Sequence, residues 1–166
     1  MAKTEKSKAE AGGYRLVASN RKASYRYLLG ETFEGGLVLQ GTEVKSLRMG
    51  RVSIAEAFGR VRADEVWLVN ADIPSYENAG YAKHESVRPR KILLHAREIR
   101  KVVVGLEQKG HTLVPLALYL NERGIAKVKI ALARGKGRSD RREDVKKREH
   151  DRDIHTELAR RARGKE

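Results

Sequence analysis

The 166 residues include no cysteine, so neither a disulfide framework nor a thiolate metal site is available, and zinc ribbons are excluded. Aromatic residues make up only 5% of the chain. That poverty argues against a general single-strand binder, which relies on rows of stacking rings, and favours a partner recognised by backbone and shape. No stretch approaches the ~20 apolar residues of a membrane span, and the opening residues are too polar for a signal-peptide core. A soluble, cytoplasmic protein with no membrane partner is expected. No internal repeat is evident.

What the chain has in excess is positive charge, with 36 Lys/Arg against 22 Asp/Glu and a formal net charge of +14. The excess is shared: residues 14–133 carry +8 and residues 134–166 carry +5. Each phosphate neutralised by such a surface releases counterions and adds affinity without reading a base. Nucleic acid is therefore the expected partner class.

The charge also divides the chain. Residues 1–13 mix Lys, Glu, Ala and Gly without periodicity and are expected to be a disordered leader. Residues 134–166 hold 13 Lys/Arg, 8 Asp/Glu and no aromatic residue, too little apolar surface for a core. They are expected to form a basic tail, disordered when free and helical once ordered on a large anionic surface such as the ribosome, with opposite-charge pairs such as Glu143 with Lys147 and Asp144 with Arg148 at helical spacing. Residues 14–133 are expected to be one folded domain.

Within that domain, Tyr25–Leu29 and Leu37–Leu39 are short apolar runs, and Gly35-Gly36 between them suits a bend or bulge. Thr42 is a candidate N-cap for a helix over Glu43–Met49, closed by Gly50. Ala57–Arg62 and Val66–Ile73 predict strands joined across Ala63, Asp64 and Glu65, and Asn78–Pro89 an exposed loop. Ile99, Val102, Val103 and Leu106 fall on one face of a helix over Ala96–Lys109, with Gly110 at its end. Thr112–Leu120 and Ile125–Leu132 predict a hairpin across Asn121–Gly124, Pro115 marking a bulge or edge, with Val128, Ile130 and Leu132 on one face and Lys127 and Lys129 on the other. About six short strands with two or three helices predict a mainly β (α+β) fold, a small closed barrel carrying the basic tail.

Catalytic patterns are weak. The five histidines have neither HExxH spacing nor cysteine companions, and Gly135–Arg138 lacks the remaining positions of a Walker A loop. No metal or cofactor is expected. Binding patterns are stronger: Asn20, Arg21, Lys22 and Arg26 stand beside Tyr25 and Tyr27, placing cationic donors next to aromatic faces. Arg88, Arg90 and Lys91 form a second basic cluster, and Lys127 with Lys129 a third.

Several of these residues sit in longer matching strings. Asn20-Arg21-Lys22-Ala23, Glu31-Thr32-Phe33-Glu34, Gly41-Thr42-Glu43-Val44-Lys45-Ser46-Leu47-Arg48 and Arg88-Pro89-Arg90-Lys91-Ile92-Leu93-Leu94-His95 closely resemble the small protein B family, the tmRNA-binding (SsrA-binding) proteins of bacteria. Leu113–Leu116, Lys127–Ile130 and the tail run Gly135-Lys136 to Asp140-Arg141-Arg142 continue the resemblance in the same order. It implies an oligonucleotide-binding-type (OB) barrel that binds the tRNA-like domain of tmRNA and delivers it, with elongation factor Tu, to stalled ribosomes for trans-translation. The tail would probe the empty mRNA channel near the small-subunit decoding region. Such a protein is a non-catalytic adaptor without a cofactor.

By position, the resemblance implies tmRNA contacts at Asn20, Arg21, Lys22, Glu34, Leu93 and Lys127, with Glu34 accepting from RNA hydroxyl or amino groups. Tyr25, Arg88, Arg90, Lys91 and Lys129 join them as candidate RNA-binding residues. Glu43, Lys45 and Arg48 lie in the signature helix, where an ion pair is an equal reading. Lys136, Asp140, Arg141 and Arg142 would engage the decoding region, with Arg134, Arg138, Lys146, Lys147 and Arg148 as further tail contacts. The chain departs from the pattern at Tyr25, where many relatives have histidine, at Ser139, where they often carry a histidine or aromatic side chain, and in the loop Ile73-Pro74-Ser75-Tyr76. Two other functions fit a basic chain: a magnesium-dependent RNA-processing nuclease using carboxylates such as Glu34 and Glu43, or a general ribosome or single-strand-binding module.

Overall fold

The computed structural model describes residues 13–75 and 84–137, together with residues 140, 142, 146, 149, 150, 154 and 156 of the tail. The chain runs β1 (Arg15–Ser19), α1 (Ala23–Arg26), β2 (Tyr27–Leu37), α2 (Gly41–Arg48), β3 (Phe58–Arg62), β4 (Glu65–Val69), β5 (Arg90–Leu93), α3 (Ala96–Glu107), β6 (His111–Leu120) and β7 (Ala126–Gly135). Every strand pairing is antiparallel. The sheet order β1-β6-β3-β4-β5-β2-β7, with β6 also paired to β7, closes six strands into a ring and leaves β1 lying along β6. This is the expected small closed barrel.

Alternation explains the core. Phe33 and Leu37 of β2, Val66 and Leu68 of β4, Ile92 of β5 and Val128 and Ile130 of β7 point inward and are buried, each burial worth roughly 1.5–3 kcal/mol. On β6 the inward parity changes between Leu113 and Leu118, both fully buried. The register shift between Pro115 and Ala117 supplies the extra residue, so Pro115 does mark a bulge. A smaller cluster of Ala23, Val114 and Ala133 lies under α1 on the outside of the β6–β7 hairpin.

Several boundaries depart from the sequence reading. Tyr25 lies in α1, and the stretch read as two runs joined by a bend is one strand of 11 residues. Its bulge falls between Leu29 and Thr32, not at Gly35-Gly36. Gly35 is instead needed for close approach: a Cβ there would fall 2.5 Å from Ile92 Cγ2 and 2.8 Å from the Leu93 carbonyl oxygen. Gly35→Ala should therefore cost about 1–3 kcal/mol of stability. An unchanged urea midpoint would refute that crowding.

Gln40, not Thr42, caps α2, because the Glu43 carboxylate reaches back to accept the Gln40 N–H at 2.7 Å. The β3–β4 turn is two residues, Ala63 and Asp64, with φ of 49° and 56°, the paired positive values that suit the strand twist. Glu65 belongs to β4, which ends at Val69 rather than Ile73. The backbone turns there through Asn70 at φ 58°. Helix α3 stops at Glu107, two residues early, and Gly110 at φ 81° leads into β6. Strands β1 and β5 and the one-turn α1 have no counterpart in the sequence reading. Part of the expected loop Asn78–Pro89 lies outside the described residues. No helix among those described is long and apolar enough to cross a membrane.

Candidate nucleic-acid interface

The outward face of β7 carries Lys127 and Lys129 between two neighbouring strands. On β2, Gly36 stands opposite Lys127 and Glu34 opposite Lys129. On β6, Tyr119 stands opposite Lys127 and Ala117 opposite Lys129. Neither lysine has an ion-pair partner among the described residues.

The face extends on both sides. Ser19 of β1 pairs with Ala117, and the Asn20 N–H donates to the Leu116 carbonyl at 2.8 Å. Exposed Arg21 and Lys22 follow directly at the entrance to α1. Beyond β2, Leu93 pairs with Gly36 and is 54% exposed, a large apolar side chain left at the edge of a cationic strip. Asn20, Arg21, Lys22, Glu34, Leu93, Lys127 and Lys129 thus share one flank of the barrel.

Two tyrosines that the sequence reading missed frame this flank. Tyr119 and Glu34 stand on the strands either side of β7, two interstrand spacings or about 10 Å apart. Burial first, then the neighbouring Glu34 carboxylate, raises the Tyr119 hydroxyl above its ordinary 10.0. Tyr14 packs edge-on against Tyr119, ring centres 5.4 Å apart at 82°. The available signal was register: counting back from the Asn121–Gly124 turn sets Tyr119 opposite Lys127.

Other assignments need correction. Glu43 and Arg90 are fully buried, so neither is placed to touch RNA. Arg90 Nε donates to Glu43 Oε1 at 2.9 Å, while Arg88 donates to both carboxylate oxygens at 2.8 and 2.5 Å. The remaining Arg90 donors reach the carbonyls of Ala71, Arg88 and Ser86 at 2.6, 3.0 and 2.8 Å. Burial pushes the Glu43 carboxyl up, but Arg88, the Gln40 N–H and Arg90 together outweigh it and hold the group below its ordinary 4.5. The ion pair joins α2 to β5 rather than lying within the helix. Arg88 is therefore spent largely on structure, and Lys91 is paired with Glu65.

Tyr25 is half-buried in α1. Lys45 and Arg48, three residues apart on α2, are exposed, with the Arg48 guanidinium beside the β6–β7 turn at Gly124. Arg134 is exposed at the end of β7. Lys136 is tied down: its N–H donates to the Arg26 carbonyl at 3.0 Å and its Nζ to the Ser24 carbonyl at 2.7 Å. The Gly137 N–H donates to Asp140 Oδ2 at 3.1 Å. Asp140, Arg142 and Lys146 are helical and exposed, whereas Arg138, Arg141, Lys147 and Arg148 lie outside the described residues.

The two carboxylates that a magnesium nuclease would use do not converge. Glu43 is sealed beneath two guanidiniums, and Glu34 is exposed on another part of the barrel, opposite Lys129. No cluster of three or more potential metal ligands occurs among the described residues.

Comparison with known proteins points the same way. The family model described as SmpB protein matches residues 17–160. An SsrA-binding protein of Beijerinckia indica is 56% identical over 137 residues, covering 82% of this chain and 87% of its own length. That of Solidesulfovibrio magneticus is 52% identical over 152 residues, covering 92% and 98%, and that of Mycobacterium tuberculosis 49% over 158 residues, covering 95% and 98%. A solved structure described as "tmRNA-SmpB: a journey to the center of the bacterial ribosome" superposes with a TM-score of 0.63 and 47% identity, covering 77% of this chain and 93% of that one.

Proposed function

The chain belongs to the SmpB family, and from that premise we propose that it is an RNA-binding adaptor that binds tmRNA in trans-translation and works on the ribosome. The observation that carries the reading is the pair Lys127 and Lys129, without an ion-pair partner among the described residues, on an outward strand face flanked by Asn20–Lys22 on one side and Leu93 on the other. Phosphate contacts from Arg21, Lys22, Lys127 and Lys129 position the RNA. Asn20, Glu34 and Tyr119 supply donors and acceptors for base edges or 2′-hydroxyls, and Leu93 a sugar or base contact. The tRNA-like domain of tmRNA, a folded surface rather than a free strand, is the partner that such a short, ring-poor flank fits.

Delivery with elongation factor Tu, action in the cytoplasm and the absence of catalysis follow from the adaptor role. The tail is assigned to the mRNA channel and decoding region. Its exposed cations at Arg142 and Lys146 suit rRNA phosphates.

Charge reversal tests the flank directly. Arg21→Glu combined with Lys127→Glu should weaken tmRNA binding at least ten-fold at ~0.1 M salt and reduce the salt slope by roughly two units, about 0.9 for each phosphate that is no longer neutralised. Circular dichroism should remain native, since Arg21 is exposed and Lys127 points away from the core. Gel shifts against tmRNA, tRNA and duplex DNA over a salt series provide the readout. Unchanged tmRNA affinity, or equal affinity for all three nucleic acids in the unaltered protein, would reject the assignment.

A further inference from the structure

We propose that the outer face of β3–β4–β5, centred on Trp67, is a second RNA site, which takes one unpaired base of a single strand with its neighbouring phosphates on Arg60 and Arg62. Register builds this face as a small grid. Trp67 stands opposite Arg60 on β3 and Lys91 on β5, while Arg62 pairs with Glu65 and Phe58 with Val69. A shallow cavity is lined by Arg60, Val61, Arg62, Trp67, Val69 and Pro89.

Three features of the grid fit a nucleotide. First, the charges do not cancel: Glu65 forms its ion pair with Lys91, leaving Arg60 and Arg62 without an ion-pair partner among the described residues. Second, the indole Nε1–H is shut off from water and finds no acceptor among the described residues. A phosphate or base carbonyl oxygen that reached this edge of the indole would supply one. Third, an indole beside guanidinium groups combines a stacking surface with anion neutralisation, the two elements that single-strand sites use. One ring permits one stacked base, so the chain's poverty in aromatics limits the site without excluding it.

The ring order sets this face apart from the tmRNA flank. In the cycle β6-β3-β4-β5-β2-β7, three steps separate β4 from β7 in either direction, so Trp67 lies diametrically across the barrel from Lys129. The two sites can be occupied together.

Trp67 is the chain's one tryptophan, so its emission reports on this face alone. Titrating the full-length protein with a short oligouridine at ~0.1 M salt should quench that emission saturably. Arg60→Gln with Arg62→Gln should weaken the quenching about ten-fold and lower the salt slope by roughly 1.4, near 0.7 for each phosphate on a single strand, while leaving tmRNA affinity unchanged. Arg21→Glu with Lys127→Glu should do the converse. Trp67→Leu, followed through the anisotropy of a labelled oligouridine, should lose about ten-fold in affinity if stacking contributes. Emission insensitive to the oligonucleotide, equal quenching after both arginines are replaced, unchanged oligouridine affinity in Trp67→Leu, or tighter binding of an acidic peptide than of RNA would each overturn the site. Loss of tmRNA binding by the charge-reversed flank with quenching intact would separate this proposal from the adaptor reading.

Discussion

Glu43→Ala should remove about 3–5 kcal/mol of folding stability, because it leaves the fully buried Arg90 guanidinium without its counter-charge. Small domains hold only about 5–15 kcal/mol in total, so the loss takes a large share of the stability of the fold. The carboxylate accepts from Arg88, Arg90 and the Gln40 N–H, and its loss releases the first turn of α2 together with the Ser86–Arg90 segment. Arg88→Ala is the milder control, since that side chain keeps 24% of its surface in water. Urea unfolding gives the measurement: the midpoint should fall without a change in slope. A loss under about 1 kcal/mol would mean that water or a rearranged donor replaces the carboxylate.

The same cluster gives a pH dependence whose sign is fixed. The Glu43 carboxyl is held below its ordinary 4.5 in the folded protein, so the unfolded chain binds the proton more readily. The stability that this group contributes is present above that ordinary value and is lost as pH falls through the lower folded-state value. Glu43→Gln removes the titration, and its stability should decline less steeply than the unaltered protein's below about pH 4.5. A parallel decline in the two proteins would assign acid sensitivity to other carboxylates.

That Glu43 and Arg90 read as RNA contacts in the sequence exposes how it misleads. In Arg88-Pro89-Arg90-Lys91-Ile92-Leu93, three cations in four residues look like a basic surface. Once Ile92 is taken as inward, however, alternation places Arg90 inside with it and leaves Lys91 and Leu93 outside. Strand β5 has only four residues, too few to display that period against its charges. Strand β2 reads as two pieces for a related reason: Gly35 is a strand residue whose missing side chain makes room for Ile92, and no local pattern reveals a neighbour that distant in sequence. The β6–β7 hairpin and α3 were legible because their apolar periods are long and their ends carry Gly124 and Gly110. At the site, the Lys127 and Lys129 face could be read from alternation alone. Tyr119 required the pairing register, and the union of Asn20–Lys22 with that face required β1, whose five residues carry no clear alternation.

Deletion from Gly137 onward should abolish tagging of truncated proteins while leaving tmRNA affinity within about two-fold, because the described part of the tmRNA flank ends before the cut. Lys136 remains in such a variant, and its two hydrogen bonds to the Arg26 and Ser24 carbonyls seal the end of β7 against α1. The described residues of the removed segment, among them Asp140, Arg142, Lys146, Glu149, His150 and Ile154, are exposed, and its deletion should shift the urea midpoint by less than about 1 kcal/mol equivalent. The sequence of this segment has too few apolar residues for the stripe that packs most helices against a core, which makes a polyanionic host the natural source of its remaining order. Full-length protein minus truncated protein should therefore give a helical difference spectrum that grows on addition of small subunits. Tagging that survives the deletion would strip the tail of its assigned role, and a parallel fall in tmRNA affinity would extend the RNA flank past the end of β7.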